Sequence, residues 1–118
     1  MNDANIARKS ATQLLEHSLA SVKIEAGFLI KAYRGYKRSG KPDGLRQEDV
    51  EKKIGFVQSR LSQLENGKAI PDDATLKKVL SECGFDLLAD GGKAFFELLK
   101  FIRDNEKGLK ALKNEKPN

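Results

Sequence analysis

The sequence predicts an all-α fold of about five helices, and three observations carry that reading. Apolar residues recur at three- and four-residue spacing along most of the chain, while period-two alternation is scarce and Thr is rare. Helix-starting and helix-stopping residues, chiefly Asp, Asn, Gly and Pro, punctuate those stretches. The apolar share of 39% over 118 residues is enough for one helical core with terminal additions.

Taken in order, Ser10-Ala-Thr-Gln13 fits a capping box and marks a helix start. Leu14, Leu15, Leu19 and Val22 follow at helical spacing, and Ile24, Phe28, Ile30 and Tyr33 continue the pattern. Residues 10–38 therefore read as one long helix, or as two divided at Gly27. Residues 39–44, Ser-Gly-Lys-Pro-Asp-Gly, are a loop by composition. A short helix is expected over Gln47–Lys53, with Val50 and Ile54 on its inner side. Gly55 permits a turn, the next helix spans Val57–Glu65, and Asn66-Gly67 stops it. Pro71-Asp72-Asp73 opens another helix with acidic residues in its first turn, lined by Leu76, Val79, Leu80 and Cys83 and ended by Gly84. Phe85–Asp90 reads equally as a short strand or a helical stub. Gly91-Gly92 is expected to break the chain before a last helix carrying Phe95, Phe96, Leu98, Leu99, Phe101 and Ile102. The tail after Asn114 is expected to fray.

The composition speaks against several function classes. No window approaches eighteen consecutive apolar residues, and the first ten lack the apolar run of a signal peptide, so a cytoplasmic protein with no membrane partner is expected. One cysteine, Cys83, leaves no intrachain disulfide, and one histidine, His17, leaves too few ligands for a metal. No Gly-rich phosphate loop is present, and Glu48, Asp49 and Glu51 read as the solvated face of a short helix rather than a catalytic site. No enzyme activity and no cofactor are expected. The net charge is +5, and residues 1–70 hold all of it, with 13 Lys and Arg against 8 Asp and Glu. A polyanionic partner explains that asymmetry; a solubilising surface explains it as well.

The segment Gly55–Lys68 carries the most specific chemistry. On a helical wheel, Leu61 and Leu64 fall on one side. Gln58, Ser59, Ser62 and Gln63 fall on the other, with Arg60 and Glu65 at the edges. The outward face is thus an unbroken set of neutral hydrogen-bonding groups. Gln can pair with adenine through N6 and N7, and Ser can donate or accept. An exposed face built only for solubility more often holds Lys and Glu.

This pattern resembles the helix-turn-helix domain of the phage-repressor (Cro/C1, XRE) family. The matching residues are Leu45-x-Gln47-Glu48-x-Val50, then Ile54-Gly55, then Gln58-Ser59-x-Leu61-Ser62-x-Leu64-Glu65-Asn66-Gly67-Lys68, extended by Pro71, Thr75-Leu76 and Gly84. Upstream, Ile30-Lys-Ala-Tyr33-Arg34 resembles the family's first helix. The resemblance implies a helix-turn-helix bundle with N- and C-terminal helical extensions. Residues 1–29 are the N-terminal extension, 30–86 the DNA-binding domain, and 91–113 a C-terminal helix for dimerisation or packing. It also implies roles: Val57, Gln58, Ser59, Ser62 and Gln63 face bases, while Gln47, Arg60, Asn66 and Lys68 contact phosphates. An Arg34–Glu65 salt bridge is implied as a structural element.

Two departures from the family pattern stand out. Arg46 occupies the place where the family usually has a capping Ser or Thr, which removes a cap and adds a cation where phosphate is expected. The link between the first two helices is also longer by about six residues and contains Lys37, Arg38 and Lys41. It is either a tolerated surface insertion or a basic loop along the DNA backbone. On the second reading, neutralising Arg38 and Lys41 lowers the salt dependence of binding by about one unit of slope per lost phosphate contact.

The last helix spreads its apolar residues widely, with Phe95, Leu98, Leu99 and Ile102 in one stripe and Phe96 and Phe101 on either side. A small monomer needs a narrower stripe, so this helix is expected to bury itself against a second chain or against the N-terminal helix. The expected function is a sequence-specific regulator of transcription, a repressor that binds double-stranded operator DNA as a homodimer. The alternative is an antitoxin that binds a partner toxin, through residues 1–29 for example, and uses DNA binding for autoregulation.

Overall fold

A computed structural model describes the backbone of residues 3–37, 46–55 and 58–114, and the side-chain surroundings of residues 10–36, 46–55 and 59–112. The described residues form five helices and no strand: α1 (Asp3–Lys37), α2 (Gln47–Ile54), α3 (Gln58–Glu65), α4 (Asp73–Glu82) and α5 (Asp90–Asn114). No described helix is long and apolar enough to cross a membrane.

α1 is a single helix, and Gly27 does not interrupt it. The Ser10–Gln13 segment lies inside α1, whose described part begins at Asp3, so it does not start the helix. The Gly91-Gly92 pair does not break the chain either, because both residues belong to the first turn of α5. Gly92 is needed there for space: a Cβ at this position would collide with the carbonyl of Asp86. Phe85–Ala89 is a turn, in which the Asp86 carboxylate accepts from the Leu88 N–H at 3.0 Å and its carbonyl accepts from the Ala89 N–H at 3.2 Å. Local side-chain bonds of this kind outcompete both alternatives read from the sequence.

The three inner helices are closed as their end residues predict. Gly55, at φ 68°, ends α2. After α3, the Gly67 N–H donates to the Leu64 carbonyl at 3.2 Å and the Lys68 N–H to that of Gln63 at 2.8 Å. After α4, the Gly84 and Phe85 N–H groups donate to the carbonyls of Ser81 and Leu80 at 3.1 and 3.0 Å. Both are Schellman stops, with glycine at positive φ at C′.

α1 and α5 run antiparallel. Lys23 Nζ meets Glu106 at 2.9 Å, Leu19 packs with Ile102 and Leu109, and at the far end Tyr33, Phe85 and Phe95 stack in series. α2, α3 and α4 sit against the C-terminal half of α1 and the N-terminal half of α5. The main core there contains Ile30, Val50, Leu61, Leu64, Leu76 and Leu99 among others, and Cys83 is fully buried in it. The wide apolar arc of α5 thus covers α4 with Phe96 and Leu99 and α1 with Ile102 and Leu109. The stripe differs from the one expected, because Leu98 is exposed while Phe96 is buried. Packing on the N-terminal helix and on α4 together accounts for the buried part of the arc.

The loop before α4 is tied down by charge. The Asp72 carboxylate caps α4 by accepting from the Thr75 N–H at 2.8 Å, and that bond holds its pKa below the ordinary carboxylate value. Asp73 is likewise held low by the hydrogen bond from Arg103, whose Nη1 also donates to the Pro71 carbonyl at 2.8 Å. A carboxyl with a depressed folded pKa stabilises the fold above its unfolded value, and the effect is lost as pH falls through the folded value. The melting temperature is therefore expected to fall on acidification below about pH 4, and to fall less steeply in an Asp72→Ala/Asp73→Ala variant. Parallel curves would show that neither carboxylate contributes.

Candidate nucleic-acid interface

α3 is only two turns long, and a helix of that length does not hold its shape alone. Its inner side is fixed by Leu61 and Leu64, both fully buried. Its C-terminal end lies against the backbone of α1. A Cβ on Gly27 would stand 2.6 Å from the Leu64 carbonyl oxygen and closer still to that of Glu65. A Cβ on Gly67 would stand 2.7 Å from Ile24 Cα. Two glycines, one on each side, thus let the helices touch through their main chains. Gly27 was expected as a weak point, and it proves to be the contact point.

Glu65 completes the anchor. It is the one charged residue that is buried among those described, with its side chain 1% exposed. Arg34 grips it with both prongs, Nε to Oε2 at 2.7 Å and Nη2 to Oε1 at 2.9 Å. The side-chain amide of Gln47 donates to Oε1 at 2.9 Å. One carboxylate therefore joins α1, α2 and α3. The implied Arg34–Glu65 bridge is present, whereas the Gln47 bond was not anticipated. Nothing in the sequence told whether an amide at the first position of α2 would turn outward or towards the core.

The outward residues then fall as follows. Ser59, Arg60 and Gln63 are exposed, and Ser62 is half-buried. Asn66 is exposed and donates through Nδ2 to Ser62 Oγ at 3.2 Å, so these two hydroxyl and amide groups stand together. Lys68 is exposed, and its carbonyl accepts from Lys23 Nζ at 3.3 Å, another link to α1. Arg60 and Gln63 border a shallow depression with Ala69, Ile70 and Pro71. Gln47, half-buried, spends one amide hydrogen on Glu65.

Arg46 is exposed, in extended conformation just before α2. Arginine is a pure donor and offers the helix no side-chain acceptor. The lost cap is replaced from the other direction: the Asp49 carboxylate accepts from the Arg46 N–H at 3.0 Å. An acidic residue three positions into a helix is the readable sign of that reciprocal bond. The capping bond at Arg46 is thus made by its backbone N–H rather than by its guanidinium. Val57, Arg38 and Lys41 lie outside the described residues, as does the side chain of Gln58.

The arrangement is a short helix, held from behind by backbone contact and a buried ion pair, that presents Ser, Gln and Arg outward beside a second helix opening on Arg46. Such a helix fits a DNA major groove. Residues 41–88 match a family model described as helix-turn-helix. No curated protein and no solved structure matches the chain. Through residues 41–88 the protein thus carries a helix-turn-helix domain of the phage-repressor (Cro/C1, XRE) family, a family of DNA-binding regulators of transcription.

Proposed function

We propose that the protein is a repressor that binds a palindromic operator as a homodimer and excludes polymerase by occupying it. The observation that carries the reading is the outward face of α3, where exposed Ser59 and Gln63 are offered while Leu61, Leu64 and Glu65 are fixed behind. In this reading Val57, Gln58, Ser59, Ser62 and Gln63 read bases. Arg46, Arg60, Asn66 and Lys68 hold phosphates, joined by Arg38 and Lys41 from the linker before α2. Gln47 contributes mainly by orienting Glu65 and keeps one amide hydrogen for a phosphate. One such unit reads only a few base pairs, and a two-fold dimer reads two half-sites about one helical turn apart.

Selection of bound sequences from random duplex DNA tests the proposal, with a palindromic consensus expected and no enrichment counting against it. With that operator in hand, Gln63→Ala is expected to relax preference at one base position at a cost of about 1–3 kcal/mol. Equal weakening on every sequence would make Gln63 a backbone contact.

A second reading, an antitoxin whose α1 also binds a partner protein, is favoured by one feature. The outer side of α1 leaves Phe28 72% and Tyr36 86% exposed around the small residues Ala32 and Gly35. Co-purification with a stoichiometric partner that Phe28→Glu abolishes would support it.

A further inference from the structure

Outside the DNA-reading face, the described residues form an apolar surface built from two helices at once. At about 100° per residue, Leu15, Val22 and Leu29 stand about 60–100° to one side of buried Ile30 on α1. Gly27 and Arg34, which meet α3, stand on the other side. On α5, Leu98, Phe101, Asn105 and Leu112 stand about 40–100° to one side of buried Ile102. Arg103, which reaches Pro71 and Asp73, stands on the other. In an antiparallel pair, offsets of the same rotational sense fall on the same side. The shallow pocket shared by Glu16, Ala20, Glu106 and Lys110 confirms the pairing for the opposite sense. α3 therefore lies on one side of the α1/α5 pair, and the apolar strip on the other.

The strip repeats every seven residues on both helices, at 15, 22 and 29 and at 98, 105 and 112. Helices with a seven-residue apolar repeat pack side by side with their seams inward, and two antiparallel helices showing one such seam are half of a four-helix bundle. Leu15, Leu29, Leu98, Phe101 and Leu112 are 41%, 40%, 39%, 55% and 58% exposed. With about 200 Å², the area of a large aromatic side chain, as an upper bound for each, they leave at most about 470 Å² open. A standard interface buries about 800 Å² per partner, about 60% of it apolar, so the strip matches what one half of a stable dimer needs.

That area argues for a second copy of the chain as the occupant, and the middle of the α5 row bears on its register. Asn105 lies seven residues from Leu98 and seven from Leu112, and is half-buried. Its Nδ2 donates to the Phe101 carbonyl at 2.8 Å, which turns the amide along the helix and leaves its oxygen to accept. A lone Asn in an apolar seam restricts the register and the number of helices that can pack there, at a cost in stability. We propose that a second copy of this chain covers the strip, forming an antiparallel four-helix bundle of two α1 and two α5 helices with the two-fold axis beside Asn105. The seam deepens the dimer reading of the preceding subsection and rests on it.

Sedimentation of the full chain over a wide concentration range, with and without the selected operator, tests the seam. The wild-type chain is expected to dimerise. Phe101→Glu/Leu112→Glu is expected to raise the dissociation constant about 100-fold or more with unchanged helicity by circular dichroism, and Phe28→Glu, off the strip, to leave it unchanged. Asn105→Cys is expected to give a disulfide-linked dimer on oxidation, without competition from Cys83, which is buried. A dimer that survives the strip variant, or that Asn105→Cys fails to cross-link, overturns the seam and leaves the dimer reading standing. A wild-type chain that stays monomeric even on its operator overturns both. A different protein bound at the strip in place of a second copy overturns the choice of occupant. Should the double glutamate variant unfold, the Asn105→Cys cross-link decides alone.

Discussion

Replacing Glu65 with alanine is expected to cost about 3–5 kcal/mol of folding stability, the range for breaking a buried ion pair from one side. The reason is what stays behind. Arg34, its side chain 11% exposed, loses the carboxylate that both its prongs hold, and Gln47 loses its acceptor in the same step. A domain of this size has about 5–15 kcal/mol in total, so the variant would stand near the edge of unfolding. Removing both charges together, in Arg34→Met/Glu65→Leu, is expected to cost less than Glu65→Ala alone, since apolar replacement of a whole buried pair is often neutral. Urea denaturation of the two variants decides the matter. A loss below about 1 kcal/mol in the single variant would mean that the pair behaves as an exposed one. DNA binding is expected to suffer beyond the loss of folded protein, because Glu65 ties α3 to α1 and α2 at once through its hydrogen bonds.

The sequence made much of this arrangement legible, and the reasons differ by element. The stops after α2, α3 and α4 were readable because each has a glycine that must adopt positive φ, a local requirement with a local signature. The buried faces of α3 and α4 were readable from helical spacing. The first-helix partner of Glu65 was not a matter of spacing at all, and came from the family pattern. What escaped was decided by tertiary contact. Gly27, Gly91 and Gly92 look alike in sequence, as helix breakers, yet all three are helical, and Gly27 and Gly92 are glycine because another backbone passes there. The choice of Phe96 over Leu98 for the core of α5 depends on where α4 lies, which no window of α5 encodes. Within the reading face, the sequence could say which side chains point outward from α3, but not that Gln47 would turn towards Glu65.

Gly27→Ala and Gly35→Ala, the same substitution two turns apart in one helix, are expected to act with opposite sign. On helix propensity alone each should stabilise by about 1 kcal/mol, since alanine has less backbone freedom to lose. Gly35 has nothing within 4 Å of a new Cβ, so that gain should appear as a raised melting temperature. At Gly27 the new methyl would press on the carbonyl oxygens of Leu64 and Glu65, main-chain atoms that cannot swing aside as a side chain can. Overpacking of this kind costs about 1–3 kcal/mol and sometimes more, and here it does not stay local. The Leu64 carbonyl accepts the Gly67 N–H that stops α3, and Glu65 holds Arg34 and Gln47. Relief of the clash must lift the C-terminal end of α3 off α1, loosening the stop and the ion pair together. The expected net loss is about 2–3 kcal/mol or more, with operator affinity falling further than the folded fraction does. Thermal melts of the two variants, with operator titrations at a temperature where both are folded, separate the effects. If Gly27→Ala stabilises as Gly35→Ala does, α3 is not held by main-chain contact. A loss confined to stability, with affinity intact, would mean that α3 can shift on α1 and still present Ser59 and Gln63 correctly.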